Sequence, residues 1–186
     1  MTTARKRDLA MVGVGLLVII LDQLTKHWIV SFFSSKPEGY VVPILGQILS
    51  LIYVKNTGVA FSMLEGQTVM FFFIALAIGV IAYLYWRSRE TGSWLLKITF
   101  GLVLGGAIGN LLDRFSHAYV VDFIHFQIPN IGFDFAVFNV ADSAISIGVV
   151  LLAYLIWRMG VAGERVAGSR APGAGTTETA ETPAED

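Results

Sequence analysis

Polar side chains that could do chemistry together stand where the apolar segments of this chain begin and end. They are Asp22, Lys26, Asn110, Asp113, Arg114, Asn139 and Asp142. Asn56 and Asp122 lie in the segments between them. Two aspartates close enough to share one proton can activate a water and polarise a carbonyl, and they need no cofactor. Asp122 and Asp142 are the candidates, because the segment between them can fold back onto the start of the last apolar segment.

Each of these residues also has a structural interpretation. Asp22 and Lys26 are four residues apart and can pair on one helix face. Asn139 can cap the last helix, with Asp142 at its third position, in a version of the capping box. Asp122, in the sequence VVDF, can be a solvated loop aspartate. The local patterns alone leave catalytic and structural roles open.

Several other chemistries are excluded or disfavoured. The chain has no cysteine, so disulfides, thiol nucleophiles and thiolate metal sites are excluded. Neither an H-E-x-x-H nor a G-x-S-x-G motif is present. His125 follows Asp122 by three residues, but an isolated interfacial histidine is favoured over a metal ligand. A serine–lysine dyad using Lys26 or Lys55 stays open. We expect neither a metal nor a cofactor.

Composition places the chain among integral membrane proteins. Of its 186 residues, 55% are hydrophobic and only 15% are charged, and the mean hydropathy is +0.67. Soluble domains usually carry about 25% charged residues. The formal net charge of −1 gives no basic excess for a nucleic-acid partner. Four segments are apolar over the roughly 20 residues that a spanning helix needs. They are 9–30, 68–86, 94–112 and 141–158.

The distribution of basic residues predicts the orientation in the membrane. If both termini are cytoplasmic, nine of the 13 Lys and Arg residues stay inside and four fall near or beyond the outer face. Those four are Lys26, Lys36, Lys55 and Arg114. Because basic residues are enriched on the cytoplasmic side, we expect both termini inside and the polar groups at the outer face.

Two outer segments and a tail complete the predicted organisation. Within the first outer segment, 31–67, Pro43, Gly46 and many β-branched residues favour strands over a fifth span. The second, 113–140, is predicted to be an aromatic-rich loop in the headgroup zone. Residues 161–186 lack an apolar period and are predicted to be a disordered cytoplasmic tail. Residues 1–160 therefore form a single membrane domain.

Five blocks of the sequence together resemble one bacterial family, lipoprotein signal peptidase, also called signal peptidase II. The blocks are LDQLTK (Leu21–Lys26), KNTGVAFS (Lys55–Ser62), GGAIGNLLDR (Gly105–Arg114), VVDFI (Val120–Ile124) and FNVADSAI (Phe138–Ile145). They occur in the order of the family and across all four predicted spans. The resemblance implies an α-helical integral membrane fold with four transmembrane helices, a small extracytoplasmic antiparallel β-cradle and a mobile surface helix.

The resemblance also implies an activity. Members of this family are aspartyl endopeptidases at the outer face of the cytoplasmic membrane, and they cut prolipoproteins just before the diacylglyceryl-modified cysteine. Asp122 and Asp142 match their catalytic dyad. The positions that match residues lining or supporting the site are Asn56, Gly58, Asn110, Asp113, Arg114, Asn139, Ala141, Asp22 and Lys26. The implied partners are prolipoproteins, membrane lipids and globomycin-type inhibitors, with a monomeric enzyme.

Two rival functions remain for comparison. A small ion- or proton-coupled transporter would use the carboxylates as part of an ion pathway. That function predicts polar residues through the whole membrane depth, whereas the inner halves of the spans are almost wholly apolar. A purely structural membrane scaffold would make every outer acid a helix cap or an ion pair.

Overall fold

The computed structural model describes residues 2–58, 79–87 and 93–169. Its helices are α1 (Thr3–Phe33), α2 (79–87, the part described), α3 (Trp94–His117) and α4 (Val140–Ser169). Within the described residues, α1, α3 and Val140–Arg158 of α4 are long and apolar enough to cross a membrane. Most of the predicted second span, 68–86, lies outside the described residues, and the part inside them is helical.

The helices extend beyond the apolar segments that predicted them. Thr2 caps α1, and its hydroxyl accepts a hydrogen bond from the Arg5 N–H at 3.4 Å, so the helix starts six residues before the predicted span. The backbone of α4 continues to Ser169, so 161–169 of the predicted disordered tail are helical, and 170–186 lie outside the described residues. Alanine, glutamate and arginine in this stretch favour helix, and no proline interrupts it before Pro172.

The chain divides into two compact units, Met1–Leu152 and Ala153–Asp186. The first unit holds α1 to α3, the start of α4 and a small sheet. The second unit, as far as it is described, is the C-terminal part of α4.

Four antiparallel strands form the sheet, in the order β1-β2-β3-β4. They are β1 (Val42–Leu45), β2 (Leu49–Asn56), β3 (Val120–Ile128) and β4 (Phe133–Asp134), and a 3-10 turn at Pro129–Ile131 joins the last two. The strands predicted for the first outer segment are confirmed. The prediction of a loop for the second was wrong, because β3 is rich in β-branched and aromatic residues and pairs with β2 along its length.

Glycines bring three helix backbones close together. A Cβ at Gly105 of α3 would lie 2.7 Å from the backbone oxygen of Gly15 in α1. A Cβ at Gly106 would lie 2.5 Å from the backbone oxygen of Ala141, in the first turn of α4. Real side-chain carbons do not approach so closely, so only glycine permits this packing, as in membrane helix pairs. The polar segments of α1, α3 and α4 are thereby held within reach of one another.

The C-terminal end of α1 anchors β3. Val121 and Phe123 are buried against Ile29 and Phe33, which lie in the last two turns of α1. Successive side chains of a strand point to opposite faces. Asp122, between the two anchored residues, is therefore directed away from this apolar cluster.

Candidate active site

The start of α4 carries the predicted capping arrangement. Asn139 Oδ1 accepts a hydrogen bond from the Asp142 N–H at 2.9 Å, and the Asn139 N–H donates to Asp142 Oδ2 at 3.2 Å. This reciprocal pair satisfies two backbone donors that the helix itself cannot use. The Asp142 side chain is thus fixed at the helix N-terminus, where the helix dipole favours a negative charge.

Asn139 also connects this helix end to the aspartate of β3. Its Nδ2 donates to Asp122 Oδ1 at 2.7 Å. Asn56, the last residue of β2, donates to Asp122 Oδ2 at 2.8 Å, and its own Oδ1 accepts from the Gly58 N–H at 2.9 Å. Gly58 has a φ of +84°, which side chains rarely adopt. One buried asparagine therefore joins the neighbourhoods of both candidate aspartates.

The protonation of Asp122 is shifted by its surroundings. The residue is 1% exposed, and burial raises the pKa of its carboxyl from 3.8 to about 6. The charge of Asp142 raises this pKa too, whereas hydrogen bonds from Asn56 and Asn139 and the charge of Lys26 lower it. The interpretation as a solvated loop aspartate is excluded. Asp122 instead keeps a proton in a pH range where an ordinary aspartate has lost it.

Asn110 of α3 completes the surroundings of Asp142. Its Nδ2 donates to Asp142 Oδ1 at 2.7 Å, while its Oδ1 accepts from Lys26 Nζ at 2.9 Å and from Asn139 Nδ2 at 3.2 Å. Half-buried Arg114, one turn later, donates from Nη1 to the backbone oxygen of Asn110 at 3.2 Å. Its guanidinium is attracted by both candidate aspartates. The group can therefore balance negative charge that develops between them.

A buried ion cluster lies behind these residues. Lys26 Nζ is 2.7 Å from Asp22 and 3.0 Å from Asp113, with all three side chains at most 4% exposed. Asp22 also accepts from the Ala141 N–H at 3.0 Å, and Asp113 accepts from the Val121 N–H at 3.0 Å. The predicted pair between Asp22 and Lys26 is confirmed, but it is buried and ties α1 to α3, α4 and β3. Breaking such a pair leaves a buried charge uncompensated.

Gln23 belongs to the same cluster, although the sequence did not mark it as a site residue. Its Nε2 lies 2.9 Å from Asp113 Oδ1, 3.2 Å from Asp22 Oδ2 and 3.2 Å from the backbone oxygen of Gly109. The available signal was an uncharged polar residue next to Asp22 at the end of an apolar span. The sequence did not reveal its partners on α3, because Gly109 and Asp113 are about 90 residues away.

The described contacts do not favour the other chemistries. The three N–H donors of Lys26 are all engaged, so Lys26 cannot act as the base of a serine–lysine dyad. Lys55 lies over two tyrosine rings. His125 and Asp122 are three residues apart on one strand and point to opposite faces, and His125 Nε2 is 2.7 Å from Asp134. Among the residues described, no group of His, Asp and Glu side chains is arranged to hold a metal.

All the residues predicted for the site are joined in one network of hydrogen bonds and ion pairs. The network contains Asp22, Lys26, Asn56, Gly58, Asn110, Asp113, Arg114, Asp122, Asn139, Ala141 and Asp142. Residues 14–158, which include this whole network, match the family described as signal peptidase (SPase) II. The chain belongs to this family. The resemblance seen in the sequence is confirmed.

Individual relatives of the signal peptidase II family agree. The lipoprotein signal peptidase of Shouchella clausii is 48% identical over 139 residues, covering 74% of this chain and 86% of the relative. That of Streptococcus pyogenes serotype M6 is 40% identical over 145 residues, covering 77% of this chain and 90% of the relative. A bacterial membrane enzyme solved by the in meso method at 1.9 Å has a TM-score of 0.65 and 29% identity, covering 78% of this chain and 91% of that one. This member of the family is therefore a bacterial membrane protein.

Proposed function

We propose that this signal peptidase II is a membrane aspartyl endopeptidase that removes the signal peptide from diacylglyceryl-modified prolipoproteins, with Asp122 and Asp142 as its catalytic pair. Family membership supports the reaction. The observation that carries the assignment of the pair is Asn139, which donates to Asp122 Oδ1 through its side chain and to Asp142 Oδ2 through its backbone.

The environments of the two aspartates suggest their roles. Asp122, whose pKa is raised to about 6 by burial, is the member that carries the shared proton. Asp142 is half-buried and accepts from Asn110 and from the Asn139 N–H, so it is the member placed to act as the base. Pairs of titratable groups whose environments differ in this way divide acid and base roles.

The reaction then follows with its protons balanced. Asp142 takes a proton from a water, and the oxygen of that water attacks the scissile carbonyl carbon. Asp122 gives its proton to the carbonyl oxygen, so a neutral tetrahedral intermediate forms. Asp142 next donates its proton to the leaving nitrogen of the cysteine, the C–N bond breaks, and Asp122 recovers a proton as the carbonyl reforms. The Arg114 guanidinium, which both aspartates attract, can stabilise the negative charge of the pair during these steps.

The position of the pair fits a substrate held by lipid. Asp142 opens α4, a helix apolar enough to cross a membrane, and Asp122 lies on the strand that follows α3. A diacylglyceryl-modified cysteine stays in the bilayer, so its peptide bond must be cut at the boundary. We propose that this is the outer boundary of the cytoplasmic membrane, with both termini cytoplasmic, and that the enzyme works as a monomer. Membrane lipids and globomycin-type inhibitors would bind at the same boundary.

The transporter function is less well supported. An ion pathway needs polar groups along the membrane depth. The acids of the network instead gather around the outer ends of α1 and α3 and the first turn of α4. Every carboxylate in that cluster is tied into hydrogen bonds that fix its position.

A lipidated and an unlipidated substrate test the proposal. The purified protein should cleave a prolipoprotein whose cysteine carries diacylglycerol, and mass spectrometry should place the cut immediately before that cysteine. The same prolipoprotein without the lipid should remain intact. Absence of cleavage in both, under conditions where the protein is folded, would contradict the proposed function.

A further inference from the structure

Lys26 has an unusually complete set of partners for a lysine side chain. Its Nζ lies 2.7 Å from Asp22 Oδ2 and 3.0 Å from Asp113 Oδ2, and it donates to Asn110 Oδ1 at 2.9 Å. The side chain is 4% exposed. An ammonium has three N–H donors and no acceptor, so these contacts use its whole hydrogen-bonding capacity. Two of them neutralise carboxylates, and the third contacts an amide.

That third contact fixes the orientation of the Asn110 amide. With its oxygen held by Lys26, Asn110 must present its NH₂ group to Asp142 Oδ1, at 2.7 Å. The oxygen also accepts from Asn139 Nδ2 at 3.2 Å. If the amide were reversed, its NH₂ group would face two donors and its oxygen would face a carboxylate. The ammonium therefore decides which end of Asn110 meets Asp142.

The other two asparagines of the site are oriented differently. Asn139 Oδ1 accepts from the backbone N–H of Asp142, and Asn56 Oδ1 accepts from the backbone N–H of Gly58. Their orientation is set by backbone donors within three residues of each. Of the three, Asn110 is the one oriented by a charged side chain from another helix.

We propose that Lys26 is a positioning residue that keeps Asp142 as the base of the pair, by holding the Asn110 amide so that it donates to Asp142. The proposal rests on the proposed function. It assigns Lys26 no contact with the substrate. It gives the ion cluster of α1 and α3 a role in the chemistry, in addition to its role in packing.

The direction of the effect follows from the charges that face the pair. These are Asp22 and Lys26 from α1, Asp113 and Arg114 from α3, and Asp122 from β3, with Lys55 of β2 turned onto tyrosine rings. Removing the ammonium removes a positive charge that favours ionisation of the pair and frees the Asn110 amide to turn its oxygen toward the carboxylate. Both changes disfavour ionisation of the aspartate pair. The acid limb of the profile of kcat/KM against pH should therefore move to higher pH, by about one unit.

The main test measures kcat/KM against pH for wild type and Lys26→Met. The double variant Lys26→Met/Asp22→Asn leaves one carboxylate where wild type has one ammonium and two carboxylates, so the net charge of the cluster is unchanged. The acid limb should move upward in both. Lys26→Arg keeps the charge and the donors, so its limb should stay near the wild-type position even if kcat falls.

Lys97→Met is the matched control. Lys97 is also a fully buried lysine, paired with Asp8 at 3.0 Å, but it lies 13 residues before Asn110 on α3, about 20 Å along the helix. Removing it should leave the limb in place. A limb that stays unmoved in both folded Lys26 variants, or moves equally in Lys97→Met, overturns the proposal.

Asn110→Leu keeps the ion cluster intact and tests the proposal even if the Lys26 variants do not fold. It should shift the acid limb in the same direction, and adding the charge-neutral pair Lys26→Met/Asp22→Asn should shift it no further, because both changes act through the same Asn110 amide. An unshifted limb in Asn110→Leu, or additive shifts, contradicts the mechanism. If wild type itself does not cleave the lipidated substrate, it is the proposed function that fails.

Discussion

Replacement of Asn139 separates the two tasks of this residue, capping α4 and bridging the aspartates. In Asn139→Ala the cap to the Asp142 N–H is lost, which costs about 1 kcal/mol of unfolding free energy. The donation to Asp122 is also lost, which costs about 1–3 kcal/mol because a buried acceptor is left without its donor. Asn139→Ser keeps a hydroxyl that can cap the helix, so it should lose mainly the second amount.

The matched control is Ser93→Ala. Ser93 caps α3 through a hydrogen bond from the Leu96 N–H at 3.2 Å, and it lies 17 residues before Asn110, at the other end of that helix. Its loss should cost about 1 kcal/mol. Because 1 kcal/mol corresponds to roughly 2–4 °C in a chain of this size, thermal unfolding should rank the variants as Ser93→Ala, then Asn139→Ser, then Asn139→Ala, from mildest to most severe.

Activity should separate the same variants differently. Both Asn139 variants should lose roughly tenfold or more in kcat/KM on a diacylated prolipoprotein, since about 1.4 kcal/mol corresponds to tenfold. Ser93→Ala should keep wild-type activity. If Asn139→Ser is destabilised but fully active, the bridge to Asp122 does not serve catalysis, and the reasoning is refuted.

Three further predictions concern packing, the ion cluster and pH. Gly106→Ala should destabilise the protein and reduce cleavage, because the added Cβ meets the Ala141 backbone oxygen. Gly13→Ala is the control and should change neither property, because a Cβ at Gly13 has no atom within 4 Å. Thermal unfolding and cleavage assays on both variants check this prediction. Gln23→Leu should lower the unfolding temperature, because Asp113 and the Gly109 carbonyl lose a donor; equal stability to wild type would contradict it. Since the pKa of Asp122 is raised to about 6 on folding, its stabilising contribution is present below pH 4 and is lost as pH rises to 6. Wild type should therefore lose about 2.4 kcal/mol relative to Asp122→Asn between pH 4 and 7. A constant difference across that range would count against the raised pKa.

The sequence predicted the helices because their signals are local, whereas the roles of the site residues were implied by the resemblance to a family. The length of the apolar segments predicted α1, α3 and the first part of α4. The spacing of Asn139 and Asp142 predicted the helix cap. The polar residues of α1, α3 and α4 were predicted to lie on one side of the membrane because each stands at the end of a predicted span. The family blocks contain all eleven residues that were predicted for the site.

The sheet and the depth of the ion cluster were not predictable in this way. Val120–Ile128 reads as an aromatic loop until β2 is available to pair with it, and the two strands are more than 60 residues apart. The pair of Asp22 and Lys26 looks like an exposed helix pair until Asp113 arrives from α3. Burial of Asp122 depends on the same long-range packing. Local pattern carries no information about these contacts.

The central claim is that Asp122 and Asp142 act together as the catalytic pair. It is tested most directly by the cleavage rate of a diacylated prolipoprotein with purified wild type, Asp122→Asn and Asp142→Asn, all confirmed to be folded. Asp134→Asn is the control, because Asp134 is exposed and contacts His125 outside the network. Each catalytic variant should lose about 10²–10⁴-fold, the contribution of a general acid or base, and the control should keep its rate. Retained activity in either Asp122→Asn or Asp142→Asn would contradict the assignment.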